Sequence, residues 1–229
     1  MEIEILSKGA FESALVHLGP NDGFVSESGA MYRASANVNI DVTTKSKSKG
    51  GLLAGVKRLL AGENFFFSTY STTDGQPGEV GLAPTHQGEV FLIDVEPSAA
   101  WMCAGGSYLG SSPGLDVDTQ FQGFKGFVSG EAPFFLNVSG QGHLLVTAFG
   151  RVVETEVQEE LTVDTGHLVA FESSLQYTMS KAGGSWIQSW LAGEGLVMNF
   201  TGHGRIITQS HNPTEFGKSL GPLLPKRKS

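Results

Sequence analysis

The chain has 229 residues and a mass of 24.3 kDa, with 15 Lys and Arg against 23 Asp and Glu, a formal charge of −8 and a pI near 5.2. This balance argues against a nucleic-acid backbone as the main partner, because phosphate binding needs a positive field. With 40% hydrophobic and 17% charged residues, it argues equally against global disorder. A single cysteine, Cys103, excludes an intrachain disulfide framework and any multi-cysteine zinc site.

The chain opens on Met1-Glu2-Ile3-Glu4-Ile5-Leu6, which has neither a basic leader nor an Arg-rich transit pattern, so an intracellular, cytoplasmic protein is expected. Leu15 to Pro20 ends a strand-like segment, and Gly29 opens another apolar stretch. Lys45 to Leu60 reads as an insert, and Gly50 to Leu60 within it as a short amphipathic helix with Lys57 and Arg58 on its wet side. There follow Gly62-Glu63, the alternating run Phe65-Phe67-Thr69, and a polar turn from Asp74 to Gly78.

The same order of landmarks comes twice more. Leu92 to Pro97, Gly105, Phe124 to Val128, Gly130-Glu131, Phe134-Leu136-Val138 and the turn Ser139 to Gly142 make the second series. Glu154 to Glu159, Gly166, Trp186 to Leu191, Gly193-Glu194, Leu196-Met198-Phe200 and the turn Thr201 to Gly204 make the third. The three anchor glutamates, Glu63, Glu131 and Glu194, stand 68 and 63 residues apart. Ordered landmarks at a fixed period mark an internal triplication. The units are 1–84, with the insert 45–60, then 85–150 and 151–211, with 212–229 as a partly disordered tail. Apolar residues at alternate positions are the signature of half-buried strands. The Ser-Gly-Gln-Gly and Thr-Gly-His-Gly turns supply the positive φ angles that tight hairpins demand. The fold class is therefore all-β, in antiparallel sandwich-like or barrel-like units. Three units side by side pair their inner edges and leave two outer edges open, which a ring of several copies would close.

The run from Gly51 to Phe66, with Glu27-Ser28-Gly29-Ala30-Met31 and Gly78 to Pro84, resembles a widespread uncharacterised bacterial family. That family is related to the yeast altered-inheritance-of-mitochondria protein number twenty-four, and the resemblance covers almost the whole chain. It implies a fold like that of the trp RNA-binding attenuation protein, repeated within the chain and assembled into a ring, a trimer. It carries no established reaction or catalytic residue.

Motifs for chemistry fail one by one. Gly110-Ser111-Ser112-Pro113-Gly114 fits G-x-S-x-G, but a nucleophile elbow needs a helix after its serine, and Leu115 to Asp118 reads as a strand. A surface turn is expected there. Gly50 to Lys57 lacks the lysine and hydroxyl of a phosphate-binding loop. His143 and His203 sit in corresponding turns one residue out of register, and His86, His167 and His211 lack a partner at ligand spacing. Asp116 and Asp118 share a strand face without a third ligand. Cys103, between Met102 and Ala104, reads as a small buried residue.

The expected protein is a non-enzymatic ring-forming scaffold without metal or cofactor, the alternative being a module that holds a small ligand in clefts between units. Its partner is itself, with a further protein or a membrane surface as a second contact and no nucleic acid. The candidate interaction surface is Leu52, Leu53, Val56, Lys57, Arg58, Leu59 and Leu60 in the first unit. Phe124 and Phe127 in the second, and Trp186, Ile187 and Trp190 in the third, take corresponding places. Those places are fixed while their residues differ, and leucines beside Lys57-Arg58 suit an acidic protein or a membrane interface. The anchors Gly62, Glu63, Gly130, Glu131, Gly193 and Glu194 are read as structural, Gly easing the strand entry and Glu accepting backbone N–H groups.

Overall fold

A computed structural model describes residues 1–7, 11–43, 67–120, 134–181 and 196–225. The fold is all-β. Nineteen strands are joined among the described residues by one α-helix and two 3-10 turns. Seven strands lie in the first part: β1 (Glu2–Ser7), β2 (Glu12–Leu18), β3 (Gly23–Glu27), β4 (Met31–Ala34), β5 (Val38–Thr43), β6 (Phe67–Thr72) and β7 (Gly78–Leu82). Six follow: β8 (Val90–Val95), β9 (Trp101–Ala104), β10 (Tyr108–Ser111), β11 (Leu115–Gln120), β12 (Phe135–Gly140) and β13 (Gly142–Thr147). The last six are β14 (Val152–Val157), β15 (Glu160–Asp164), β16 (Leu168–Glu172), β17 (Gln176–Lys181), β18 (Leu196–Thr201) and β19 (Gly204–Gln209).

Four antiparallel sheets run in the orders β1-β2-β7-β4, β5-β6-β3-β10-β13-β8, β11-β12-β9-β16-β19-β14 and β15-β18-β17. Each six-stranded sheet draws half its strands from one stretch of chain and half from the next, joined at β3–β10 and at β9–β16. Stacked, the four sheets enclose three apolar layers. Ala14, Val16 and Val80 meet Phe24, Tyr70 and Leu145 between the first and second sheets. Leu144, Val146 and Tyr108 meet Trp101, Leu136 and Ile207 between the second and third. Met102, Phe135 and Ile206 meet Val163, Met198 and Phe200 between the third and fourth.

Because side chains alternate across a strand, Leu145 points into one layer and Leu144 and Val146 into the next. The expectation of half-buried strands is therefore corrected for the middle sheets. In β12, Leu136 and Val138 fill one layer and Phe135 another. The outer β18 keeps the expected alternation, with Met198 and Phe200 buried and Asn199 bonded to Thr162 and Ser180 across the outer face.

The glycine turns are corrected too. They close no hairpins: β12 ends at Gly140 in the third sheet, and β13 starts at Gly142 in the second. Gly140 at φ +114° and Gly142 at φ +152° bend the chain from one sheet to its neighbour. The consecutive strands that do pair are instead β1–β2, β5–β6, β11–β12 and β17–β18.

Past Gln209, α1 (Pro213–Leu220) replaces part of the disorder expected of the tail. Asn212 caps it by accepting the N–H groups of Thr214 and Glu215, and Pro213 fits the first turn. Its Phe216 meets the Phe149 ring edge-on at 5.2 Å between centroids, which ties the helix to the chain after β13. Among the described residues no helix is long and apolar enough to cross a membrane.

Candidate functional site

The candidate interaction surface and the repeat anchors read from the sequence all lie outside the described residues. These are Leu52 to Leu60, Phe124 and Phe127, Trp186 to Trp190, and the anchors Gly62-Glu63, Gly130-Glu131 and Gly193-Glu194. They fall in the chain between β5 and β6, β11 and β12, and β17 and β18, whose facing ends are Thr43/Phe67, Gln120/Phe135 and Lys181/Leu196.

The expected surface turn is present at Pro113-Gly114, both exposed, but the two serines before it are not on the surface. Ser111 and Ser112 are buried. The Ser111 hydroxyl bonds to Tyr108 Oη at 2.8 Å, and Ser112 Oγ accepts the His143 N–H at 2.9 Å. The first bond lies within β10, and the second ties the residue after β10 to β13. Cys103 is fully buried, as read from the sequence, and burial pushes its thiol far above the ordinary range.

Two histidines sit in cross-strand ion pairs, His86 and His211 pack against Phe149, and His167 Nδ1 meets the Gln209 carbonyl oxygen at 2.8 Å. His17 lies between Glu4 and Glu79, at 3.6 and 3.3 Å, and Glu79 also takes Arg33 at 3.1 Å. His143 meets Asp94 at 2.7 Å, a partner that sequence spacing did not reveal because it lies across a strand pair. Arg205 bonds Glu172 at 2.7 Å and stacks over the Trp101 ring at 5.0 Å. Such exposed pairs contribute about 0–1 kcal/mol each and hold no convergent chemistry. Among the described residues no group of three or more metal-ligating side chains comes together.

One cleft does stand out. Residues at the end of β3 (Glu27 and Ser28), the link after β7 (Thr85 and His86), and Leu109 and Thr147 enclose about 280 Å³. It lies where β3 joins β10. Gly29, at φ +91°, turns the chain around its rim. The Glu27 residue is half-buried, and among the described residues no hydrogen bond or ion pair reaches its carboxylate. Burial holds its pKa above the usual carboxylate value, since desolvation disfavours the charged form. An acid whose folded pKa is raised leaves stability full below its unfolded value and reduces it as pH rises through the folded one. Glu27→Gln is therefore expected to raise the melting temperature at pH 7 and to flatten the decline in stability above the carboxylate range. Scanning calorimetry of both chains from pH 4 to 8 tests this, and an unchanged or lower melting temperature at pH 7 contradicts it.

Comparisons with known proteins give one consistent answer. A family model described as mitochondrial biogenesis AIM24 matches residues 3–211. An uncharacterised protein of Streptococcus pyogenes serotype M6 is 28% identical over 205 residues, 87% of this chain and 81% of that protein. The crystal structure of a Streptococcus pyogenes structural-genomics target superposes with a TM-score of 0.81 at 24% identity, covering 97% of this chain and 99% of that one.

Proposed function

This chain belongs to the mitochondrial biogenesis AIM24 family, and from that premise we propose that it is a non-catalytic, self-assembling scaffold of three like units, working in the cytoplasm. The observation that carries this reading is a recurring order of pairing. The strands β2 to β7 are arranged as β2-β7-β4 and β5-β6-β3. The strands β8 to β13 are arranged as β8-β13-β10 and β11-β12-β9, and β14 to β19 as β14-β19-β16 and β17-β18-β15. A one-residue bulge recurs at the same place in each set, between Met31 and Arg33, Tyr108 and Gly110, and Leu168 and Ala170. Bulges are specific features that persist within families, so their recurrence favours the triplicated reading. The unit boundaries at 84/85 and 150/151 fall between β7 and β8 and between β13 and β14.

A stack built by repeating one junction ends with that junction half-made at each side. Such ends favour joining further copies. A closed homo-oligomer follows, a trimer on the family resemblance. Native mass spectrometry at micromolar concentration is expected to give a defined multiple of 24.3 kDa, and a monomer alone overturns the reading.

A second reading rests on Glu27. A half-buried carboxylate without a partner among the described residues, beside the Ser28, Thr85 and Thr147 hydroxyls, suits a small organic ammonium ion with further hydrogen-bond donors. In the same spectra, a small mass retained by the wild type and absent from Glu27→Gln favours this reading.

A further inference from the structure

Eight strands are sheet edges among the described residues, namely β1, β4, β5, β8, β11, β14, β15 and β17. Six of them are unremarkable. The edges β5, β11 and β17 correspond to one another in the three sets, as do β8 and β14. At the corresponding position in the first set, β1 covers β2. Only β4 and β15 are open where their counterparts are paired. The counterparts of β4 are β10 and β16, which pair with β3 and β9. The counterparts of β15 are β3 and β9 themselves. The chain therefore ends in two complementary halves of one junction, and among the described residues they are not paired with each other.

We propose that β15 of one copy pairs antiparallel with β4 of the next, making one seven-stranded sheet across the two chains in the order β1-β2-β7-β4-β15-β18-β17. This rests on the scaffold reading and supplies its contact. The internal junctions dictate the register. Gly110 lies opposite Ser26 and Ser111 opposite Val25. Ala170 lies opposite Cys103 and Phe171 opposite Met102. Counting from the bulge, Arg33 takes the place of Gly110 and Ala170. Counting from the pairs Glu27–Phe67, Ala104–Phe135 and Asp164–Val197, Val163 takes the place of Ser26 and Cys103. Arg33 then faces Val163 of the neighbouring copy, and Ala34 faces Thr162.

Two independent features agree with this register. The faces match. Ala34 points into the layer beneath the first sheet, and Thr162 lies on the outer face of the fourth, as Phe171 and Met102 share one face. The surface awaiting cover is also present. The bulge residues Leu109 and Val169 are 2% and 0% exposed, each beneath a further sheet, whereas their counterpart Tyr32 is 48% exposed. Tyr32 lies over Gly81, where a Cβ would come within 2.6 Å of its ring, and Gly81 takes the place of the buried Leu145 and Ile207. A tyrosine left exposed beside a glycine, where its counterparts are buried, is a site ready to be covered.

Arg33 marks the difference between this junction and the internal ones. Gly110 and Ala170 fill its place within the chain, whereas Arg33 carries its charge out to Glu79. The contact between copies is consequently more polar than the internal junctions. The contact is heterologous, so rotation from copy to copy closes a ring if it completes a circle and otherwise grows a filament.

The experiment is a double variant, Ala34→Cys with Thr162→Cys, oxidised under native conditions. Facing residues on antiparallel strands lie about 4.5–5.5 Å apart between Cα atoms, within reach of a disulfide. Wild type, carrying only the buried Cys103, is the baseline. Ala34→Cys with Leu161→Cys, one residue out of register, is the control. The expected result is disulfide-linked multimers in the double variant, several-fold above both comparisons. A disulfide within one chain overturns the proposal, because the two edges would then close on each other. Equal crosslinking by the control overturns the register. Absence of crosslinks in a chain whose reduced form keeps its native mass and melting temperature also overturns it. If native mass spectrometry still shows an oligomer in that case, the scaffold reading stands and only its contact has been misplaced; a monomer removes both.

Discussion

Phe171→Ala is expected to lower stability by about 3–5 kcal/mol, the range for truncating a fully buried aromatic residue. The ring is inaccessible to solvent. It meets Phe135, Tyr177 and Phe200 edge-on, with centroids 5.5, 5.3 and 5.0 Å away. Aromatic pairs add about 0.5–1.5 kcal/mol beyond their buried area, and three rings meeting one cannot collapse onto an alanine together. For a chain of this size the loss corresponds to a melting temperature lower by roughly 6–20 °C. Differential scanning calorimetry measures it, and a fall of less than a couple of degrees would mean that the third apolar layer relaxes around the gap.

The second large effect lies in the backbone. Gly140→Ala places a Cβ within 2.5 Å of the Gly114 carbonyl oxygen at a residue whose φ is +114°. Left-handed strain of this kind costs about 1–3 kcal/mol, and the clash is with backbone, which has no rotamer by which to yield. The expected loss is at least about 2 kcal/mol. The sister change Gly202→Ala separates the two causes, since Gly202 has φ +108° but nothing within 4 Å of the added carbon. Denaturant titration of both variants should place Gly140→Ala clearly below Gly202→Ala. Equal midpoints would mean that the backbone angle alone sets the loss.

The all-β class was legible because its signal is local: alternation in Leu196-Met198-Phe200 and glycines at the turns need no knowledge of distant residues. What the glycines connect was not legible. Gly140 and Gly142 look like a hairpin because the strands on either side are adjacent in sequence, and only the partners of β12 and β13 reveal that the chain changes sheets there. Burial on both faces was hidden for the same reason. Asn137 made β12 look amphipathic, although Phe135 on that face is covered by the fourth sheet. In the candidate cleft, Glu27 comes from β3 and Thr147 from the end of β13, 120 residues on, and no spacing rule joins them. The Asp94–His143 contact is a strand-pairing fact of the same kind. The helix after Asn212 was readable in principle, from a capping Asn, a following Pro and Glu215 in the first turn.

The sharing of each middle sheet between successive stretches of chain has a consequence in time. On a ribosome, β3 emerges with only β6 to follow soon on one side, and its other neighbour, β10, starts 81 residues after β3 ends. At about 5–20 residues per second that edge waits roughly 4–16 s. The edge of β9 waits for β16 in its turn, 64 residues later. Every stage of synthesis thus exposes a strand that later translation will cover, until β15 leaves the ribosome and no later strand among the described residues takes its edge. A nascent chain near a sister on the same messenger would present that last edge beside a freshly made β4, so the density of ribosomes along one transcript becomes a factor in how readily copies meet.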